Sequence, residues 1–567
     1  MKILTNAYIN SKVIYPKVSI STSAYGVEHN INDSSPVCTR IGNMEAHRTL
    51  PIQSKYYGCI YNLETKQEVY KLNPNDWSLK EDGTPAVLDG TDGAIKVHIP
   101  EFYGRVETEG DIQRIWTVEE VEDPTEWYHV REQYVDPWEC NLQKSTQKVM
   151  CVVNSDDDWR GGYDHDDYAG KYDDSDNVFQ NQHNKSITYK NLTEARALAR
   201  GCNQEVLCYS DYLWIFYWNY VIEYANLNCQ AAFNPELTVE GYHQGGLGNG
   251  PTTFSNWVMF NSTQPIIPNG YENSIGDGTG VMSIPAQTFT YDSVGLTRMS
   301  SYNFLTNKVI KTNNPNYSVT ITEILNNTSY FAYVSLHIAL NTVVYHIEGL
   351  QSGQEIIFYE SNINTPLNVA TVDGDITVNW TTSTYNRYIA ANFIGPCNIT
   401  MSIVSAEPYY GFQGTTAPMS TCRWRGLSNP FGHLWRILEG VIIQSYQEDG
   451  EWLHRKIYVT NDPAKYGNKD QMELVSENLV NREGYVKFAE LHNNAFVPTE
   501  VGGKSIRYFS DYWYVPSSYN ENDYILLSGG DADDGGAAGL SYFRSDWSAS
   551  SRTVIGGFRT TSLIQNT

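Results

Sequence analysis

The sequence predicts an α+β protein that is mostly β, and three observations lead to this fold class. Only two segments of the 567-residue chain carry a helical pattern of apolar residues. Almost everything else consists of short runs of β-favouring residues separated by NG, DG, GG and NP pairs, which are typical of turns. Residues 315–404 contain eight such runs at a spacing of roughly ten residues, which is the pattern of an all-β sandwich.

The first helical segment is SITYKNLTEARALARGC, residues 186–202. Ala195, Leu198 and Ala199 recur at the spacing of one helix face. Thr193 precedes them, so we expect its hydroxyl to cap the N-terminus of this helix.

The second helical segment, SDYLWIFYWNYVIEYAN, spans residues 210–226 and is rich in aromatic side chains. Its apolar residues occur nearly all round the helix, which predicts burial on most sides. Ser210 or Asp211 is the expected N-cap because both side chains accept hydrogen bonds from backbone N–H groups.

One turn predicts the position of a tryptophan. In NPFGHLW, Pro430 fixes φ and Gly432 supplies a left-handed backbone, so the turn is tight. Trp435 then enters the core as a large apolar anchor. The closing segment TVIGGFRTTSL, residues 553–563, is expected to return as a strand beside an early strand of the chain.

The composition limits the function classes. The formal net charge is −26, and so acidic a surface repels phosphate backbones, which argues against nucleic acid as a partner. The N-terminal stretch MKILTNAYINSKVIYP has no secretory pattern, and no window approaches the ~18 apolar residues of a membrane span. We therefore expect synthesis in a cytoplasm, no signal peptide and no membrane insertion.

The cysteines indicate neither a disulfide framework nor a zinc knuckle, because they are odd in number and form no CxxC pair. We expect them to be small buried apolar residues. The nine positions are 38, 59, 140, 151, 202, 208, 229, 397 and 422.

Familiar catalytic motifs do not occur in the sequence: it has no HExxH, no GxSxG and no GxxxxGK[ST]. A glycosidase needs only two carboxylates, so a polysaccharide depolymerase stays open as an alternative.

Several long blocks on either side of the predicted sandwich occur in an order that resembles a known family. They are YGVEHNINDSSPVCTRIGNMEAHRTLPIQSKYYGCIYN (25–62), DGTDGAIKVHIPEFYGRV (89–106), YANLNCQAAFNPELTVEGYHQGGLGNG (224–250), RWRGLSNPFGHLWRILEGVII (423–443), FVPTEVGGKSIRYFSDYWY (496–514) and GGDADDGGAAGLSYFRSDWSASSRTVIGGFR (529–559). They look like the C-type-lectin-like fold, also called formylglycine-generating-enzyme-like. Phage fibre and receptor-binding proteins use this fold, as do variable proteins of diversity-generating retroelements. The blocks are most similar to virion proteins of Bacteroides phages, including crAss-like phages.

The resemblance implies a C-type-lectin-like domain that is interrupted by the sandwich. The expected parts are a virion-attachment segment (1–25), the N-terminal part of the lectin-like domain (26–295), the inserted sandwich (296–410) and the C-terminal part of the lectin-like domain (411–567).

The function implied is that of a phage virion structural protein, a head or tail fibre that attaches non-covalently to a host surface glycan or protein. A fibre is expected to be a homo-oligomer, with a trimer as the natural form, and to contact other virion proteins. The formylglycine-generating enzymes on this fold need a pair of active-site cysteines in the C-terminal part, whereas only Cys422 lies beyond residue 400, so no oxidase activity is implied. The alternatives are a purely structural capsid or tail decoration protein and the depolymerase.

In members of the family, the region that here reads SYFRSDWSASSR is an exposed face that contacts the target. Recognition surfaces favour rigid aromatic side chains beside adaptable polar ones, as this stretch offers. The alternative is that its aromatic residues only pack the strand. The residues expected to contact a receptor are Tyr542, Arg544, Asp546, Trp547, Ser548 and Arg552.

Two aspartate-rich stretches could bind calcium, the one possible cofactor that the sequence indicates. Neither DHDDYA, which starts at Asp164, nor its neighbourhood fits the EF-hand spacing, because alanine stands where glycine is needed. The alternative for both stretches is a solvated loop. The preferred calcium ligands are Asp531, Asp533 and Asp534, followed by Asp164, Asp166 and Asp167.

Overall fold

The computed structural model describes the chain from residue 21 to residue 564 with gaps. The described ranges are 21–156, 158–159, 172–173, 178–179, 185–253, 269–270, 275–284, 288–289, 301–305, 308–310, 317–325, 329–336, 340–359, 366–379, 386–392, 398–408, 414–415, 419–448, 451–516, 522–553 and 555–564. Most of the expected attachment segment and the weaker calcium candidates Asp164, Asp166 and Asp167 lie outside the described residues.

Helices are few. They are α1 (Met44–Thr49), α2 (Leu192–Gly201), α3 (Tyr209–Tyr212) and α4 (Asn219–Tyr224), and a π-helical segment (Leu213–Trp218) joins α3 to α4. Short 3-10 turns span Gln53–Lys55, Pro124–Glu126, Pro463–Lys465, Lys469–Gln471 and Gly535–Ala537. Within the described part of the chain, no helix combines the length and the apolar character that crossing a membrane requires.

Strands dominate, so the prediction of a mostly β fold is confirmed. Those before the sandwich are β1 (Tyr25–Asn30), β2 (Thr39–Gly42), β3 (Tyr57–Asn62), β4 (Gln67–Asn73), β5 (Asp76–Lys80), β6 (Ala94–Ile99), β7 (Phe102–Glu109), β8 (Ile112–Val118), β9 (Tyr128–Val130), β10 (Gln133–Val135), β11 (Asn141–Gln143), β12 (Lys148–Met150), β13 (Tyr172–Asp173), β14 (Val178–Phe179), β15 (Glu205–Val206), β16 (Phe233–Asn234), β17 (Gln244–Gly245), β18 (Gly280–Ile284) and β19 (Thr288–Phe289).

The next ten strands are β20 (Ser301–Leu305), β21 (Lys308–Ile310), β22 (Tyr317–Leu325), β23 (Ser329–Leu336), β24 (Leu340–Glu348), β25 (Glu355–Tyr359), β26 (Pro366–Ala370), β27 (Gly374–Asn379), β28 (Asn386–Asn392) and β29 (Asn398–Pro408). The last group is β30 (Gly414–Thr415), β31 (Met419–Trp424), β32 (Leu427–Ser428), β33 (Trp435–Ile437), β34 (Val441–Glu448), β35 (Glu451–Val459), β36 (Glu473–Ser476), β37 (Gly484–His492), β38 (Ala495–Val501), β39 (Tyr512–Tyr514), β40 (Asn522–Gly529), β41 (Gly539–Trp547), β42 (Gly556–Phe558) and β43 (Thr560–Leu563).

Three larger sheets are built from the strands on either side of the sandwich. The first sheet has the order β2-β1-β8-β7-β9, and the second sheet has the order β15-β43-β10-β6-β3-β4-β5. The C-terminal sheet has the order β36-β35-β34-β40-β41-β39-β37-β38, with β33 joining β40 to β42. The last strand of the chain, β43, pairs with the early strand β10, which confirms the predicted return of the C-terminal segment.

The aromatic helix, residues 209–224, lies in the core between the first and C-terminal sheets. All its side chains are buried, as the sequence predicts. The Tyr209 hydroxyl donates to the Phe496 carbonyl (2.9 Å) and the Tyr212 hydroxyl to the Leu540 carbonyl (2.7 Å), which fixes the helix against β38 and β41. On the other side α4 packs against β1 and β8.

Gly104 of β7 lies directly against the ring of Trp214 in this helix. A methyl group at this position would lie 2.4 Å from the ring of Trp214. We expect Gly104→Ala to lower the free energy of unfolding by about 1–3 kcal/mol, because overpacking forces side chains or backbone to shift. Urea unfolding measures the change. Gly201→Ala, where no atom lies within 4 Å of the new methyl group, is the control. Equal effects in the two variants would show that Trp214 moves aside freely.

Both predicted N-caps are wrong. The cap of α2 is Asn191, whose side chain accepts from the Glu194 N–H while the Glu194 carboxylate accepts from the Asn191 N–H, a capping box. Thr193 lies inside the helix. The aromatic helix begins after Cys208 without a side-chain cap; Ser210 and Asp211 lie inside it, and the Ser210 hydroxyl donates to the Asn494 carbonyl (2.7 Å).

The strands between residues 301 and 408 form two five-stranded antiparallel sheets. Their orders are β21-β20-β29-β24-β27 and β22-β23-β28-β25-β26, and β22–β29 match the eight predicted runs. Tyr345 of one sheet stacks on Phe358 of the other, with ring centroids 5.0 Å apart, so the sheets face each other as in a sandwich. The chain reaches and leaves these sheets through two paired segments, β18 with β31 and β19 with β30.

Two further predictions about the core are confirmed. Gly432 has φ +73°, and Trp435 after it is 1% exposed. The eight described cysteines are all free and buried. Cys397 lies outside the described residues.

Candidate functional site

The predicted contact stretch lies mostly on β41, which runs through the middle of the C-terminal sheet. β41 pairs antiparallel with β40 and parallel with β39, so Tyr514 lies beside Arg544. The five residues at the start of β41 are buried, and exposure begins only at Arg544. The face that the strand offers to solvent therefore starts at Arg544.

Tyr542 is a core residue, and its prediction as a receptor contact is wrong. Its side chain is 3% exposed. Its ring packs edge-on against Trp435, with centroids 4.6 Å apart, and against Tyr512 at 5.9 Å. Its hydroxyl donates to Oδ1 of Asp534 at 3.4 Å.

Arg544 forms the centre of a half-buried group, the Arg544 cluster, that consists of Tyr514, Arg544, Asp546 and Trp547. Nε and Nη2 of Arg544 donate to the two carboxylate oxygens of Asp546 at 2.7 and 2.9 Å. The guanidinium carbon lies 4.6 Å from the ring centroid of Tyr514 and 5.1 Å from that of Trp547. The Arg544 and Asp546 side chains remain 22% and 16% exposed.

The other two predicted contact residues lie beyond the cluster, in the turn after β41. Ser548 is half-buried, and its Oγ lies 3.0 Å from that of Ser550. Arg552 is exposed and binds the carboxylate of Glu194, so it links this turn to the capping box of α2. The structure thus brings Arg544, Asp546 and Trp547 into contact and places Ser548 and Arg552 beside them.

Sequence reasoning missed Tyr514. The signal for it is the alternation in YWY, residues 512–514, where Trp513 is 1% exposed while both tyrosines are half-buried. A period of two with the central residue inward is typical of a strand at the surface of a core. The parallel pairing that brings Tyr514 to Arg544 has no local signal, because the two residues lie on separate strands, β39 and β41.

The aspartates of the predicted calcium site form a tight acidic turn next to the cluster. Among the described residues, Asp531, Asp533 and Asp534 are the group whose carboxylate oxygens come within 4.8 Å of one another. The Asp531 carboxylate accepts from Trp435 Nε1 at 3.1 Å and from the Asp533 N–H at 3.2 Å. The Asp534 carboxylate accepts from the Asp531 N–H at 2.7 Å.

Burial and mutual repulsion raise the pKa values of two of these carboxyls. Burial is the largest cause for Asp531, followed by the neighbouring aspartates, and its pKa rises to about 9. The pKa of Asp534 rises to about 6 for the same reasons. One proton held in the turn relieves the repulsion.

Calcium fits this turn only in part. It takes about six to eight oxygen ligands, whereas the described turn offers three carboxylates, two of which already accept hydrogen bonds from the fold. Calcium binding here therefore stays a prediction, and the hydrogen bonds give the turn a structural role: they fix Trp435 under the Arg544 cluster.

Comparison with known proteins yields no match. No protein-family model, no curated protein and no solved structure matches the chain.

Proposed function

We propose that the protein is a structural and adhesive component of a phage particle, a head or tail fibre that attaches non-covalently to a glycan or protein of the host surface. The order of the sequence blocks, which resembles the C-type-lectin-like fold of such proteins, supports the setting. The Arg544 cluster is the observation that supports attachment, because it presents a prearranged cation and two aromatic rings to solvent.

The physical case for the cluster rests on its rigidity. Arginine, tyrosine and tryptophan provide most of the binding free energy at recognition surfaces, and they do so best when little side-chain entropy is lost on binding. Asp546 and the two rings already hold the guanidinium in place. The buried ring of Trp435, which packs against Tyr542, lies 5.7 Å from the guanidinium carbon and supports the same side chain.

The fibre setting implies several copies on one particle. Weak contacts at each copy then combine into avidity, since the second contact forms at a high effective concentration. A cyclic trimer suits an axial appendage. Light scattering of the purified protein measures the oligomer, and a monomer at the concentrations used for attachment would contradict the trimer.

Attachment to intact host cells tests the proposed function. We expect the double variant Arg544→Ala with Trp547→Ala to lose about tenfold or more in cell binding, because it removes two residues of a kind that each provide over 1 kcal/mol at such surfaces. Flow cytometry with labelled protein measures binding, and circular dichroism checks that the variant is folded. Arg507→Ala, at an exposed arginine outside the cluster, is the control.

Each result has a clear reading. Unchanged binding by a folded double variant would remove the Arg544 cluster from attachment. Thinning of the host capsule by the wild type would favour a depolymerase, and failure of the wild-type oligomer to bind cells would favour a decoration protein.

A further inference from the structure

A second feature of the surface is a cleft of about 720 Å³ where β15, β43 and the end of α2 meet. This volume lies within the range of small-molecule sites in proteins. The lining residues are Lys66, Arg131, Arg200, Asn203, Gln204, Glu205, Pro463, Thr561, Leu563 and Ile564. The Arg544 cluster contributes none of them, so the two features are separate.

The cleft is positive in a chain that is strongly negative. Its lining contains three cations and one carboxylate, a formal charge of +2, whereas the whole chain carries −26. The Debye length is about 8 Å at physiological ionic strength, so a ligand inside the cleft senses these cations more than the distant acids. Two acids lie near Arg131 and Lys66 in sequence: Glu132 is 2.7 Å from His98 Nε2, and Glu64 is 3.3 Å from Lys148 Nζ.

Two of the cations are available to a ligand. Lys66 and Arg131 are both exposed, and neither side chain forms an ion pair or hydrogen bond with a described residue, while Arg131 also acts at longer range on the buried carboxyl of Asp211. Arg200 is held in place instead: its Nε lies 3.0 Å from both carboxylate oxygens of Glu205, and its Nη2 donates to the Pro463 carbonyl at 2.7 Å.

The floor of the cleft is rigid. Gln204 is 2% exposed, and its Nε2 donates to the Val149 carbonyl at 3.0 Å while its Oε1 accepts from the Thr560 hydroxyl at 2.7 Å. The Thr561 hydroxyl donates to Oε1 of Gln133 at 2.6 Å. Because these groups are fixed before any ligand arrives, binding costs little ordering of the protein.

We infer that this cleft binds an anionic saccharide, a sugar unit that carries a carboxylate. Guanidinium and ammonium groups make charge-assisted hydrogen bonds to carboxylates, and Arg131 can do so through two parallel N–H groups. Leu563 and Ile564 offer apolar surface to the C–H face of a sugar ring. The inference rests on the proposed function only for the origin of the sugar, an acidic polysaccharide of the host surface.

Calorimetry with a galacturonate hexamer tests the inference without cells. We expect the wild type to bind this acidic oligosaccharide and not the neutral maltohexaose, with affinity that falls as salt rises. Lys66→Ala with Arg131→Ala should weaken binding about tenfold or more, because hydrogen bonds to charged groups contribute about 1.5–3 kcal/mol each. The matched control is Lys504→Ala with Arg507→Ala, which removes the same two kinds of cation from an exposed loop that does not line the cleft.

Three results would overturn the assignment: no binding of the acidic hexamer by the wild type, equal binding of the neutral one, or equal losses in the two double variants. The attachment experiment is independent. Cell binding without galacturonate binding would remove the cleft and leave the proposed function. Galacturonate binding without cell attachment would support the cleft as a saccharide site and remove the proposed function.

Discussion

Glu139→Gln is expected to lower the free energy of unfolding by about 3–5 kcal/mol, the cost of leaving buried charges without their partner. Oε1 of Glu139 accepts from Nη2 of Arg436 at 3.0 Å and from Nε of Arg559 at 3.1 Å. All three side chains are at most 2% exposed. Without the carboxylate charge, two guanidinium groups repel each other in the core.

The network also joins distant parts of the chain. Arg559 donates to the carbonyls of Pro137 (2.7 Å) and Ser428 (2.6 Å), so segments before and after the sandwich and the last strands meet at one point. Loss of Glu139 therefore weakens the contact between sheets and not only one ion pair.

Denaturant unfolding of Glu139→Gln measures the loss, with Glu45→Gln as the control. Glu45 pairs with Arg48 in an exposed position, where such pairs contribute at most about 1 kcal/mol. A loss in Glu139→Gln no larger than in the control would contradict the structural role.

The pKa of Glu139 adds a pH dependence with a definite sign. Burial alone would raise this pKa, but Arg559 and Arg436 lower it from 4.5 to about 2. The stability that the carboxylate contributes is therefore full above about pH 4.5 and lost as the pH falls towards 2. The difference in the free energy of unfolding between the wild type and Glu139→Gln should therefore shrink as the pH falls over that interval.

Asp511 is expected to have the second large effect on the free energy of unfolding. Its contribution falls as the pH rises, opposite to that of Glu139. Its carboxylate accepts from the Ser541 N–H (2.7 Å) and hydroxyl (2.9 Å), and burial raises its pKa from 3.8 to about 8. The folded protein thus keeps a proton that the unfolded chain releases. The stability linked to this proton is full below about pH 4 and falls by about 1.4 kcal/mol per pH unit until about pH 8.

Asp511→Asn isolates that contribution, because the amide oxygen can still accept from Ser541 while the charge is absent at every pH. We expect the stability of the variant relative to wild type to rise steadily between about pH 4 and pH 8 and to level off outside that window. Unfolding titrations at several pH values measure it. A difference that stays constant across the window would show that Asp511 is ionised in the folded protein.

Glu139 and Asp511 show why only part of this structure can be predicted from the sequence. The strands of the sandwich, the aromatic helix and the burial of Trp435 follow from local patterns, and the structure has them. Glu139 and Asp511 carry no local sign of their roles, because their partners are fixed by sheet pairing. Glu139 lies 297 residues from Arg436 and 420 from Arg559.

The candidate site likewise divides into residues that a local pattern predicts and residues whose contacts depend on sheet pairing. Arg544, Asp546 and Trp547 lie close together in sequence, so a recognition pattern found them. Tyr542 belongs to the same stretch, but for it the packing alternative holds, because its ring contacts Trp435 and Tyr512 from other strands. Lys66, Arg131 and Arg200 come from the β3–β4 turn, the segment before β10 and the end of α2, and only the fold brings them to one cleft.

The paired segments that lead into the sandwich have a consequence for how such a chain diversifies. Ile284 lies opposite Met419, and Thr288 lies opposite Thr415, so the chain departs and returns at neighbouring points. A folded unit whose two ends lie close together can be inserted between these paired strands with little loss of loop-closure entropy. Recombination at this one position can therefore exchange the appended module while the register of the surrounding sheets stays as it is.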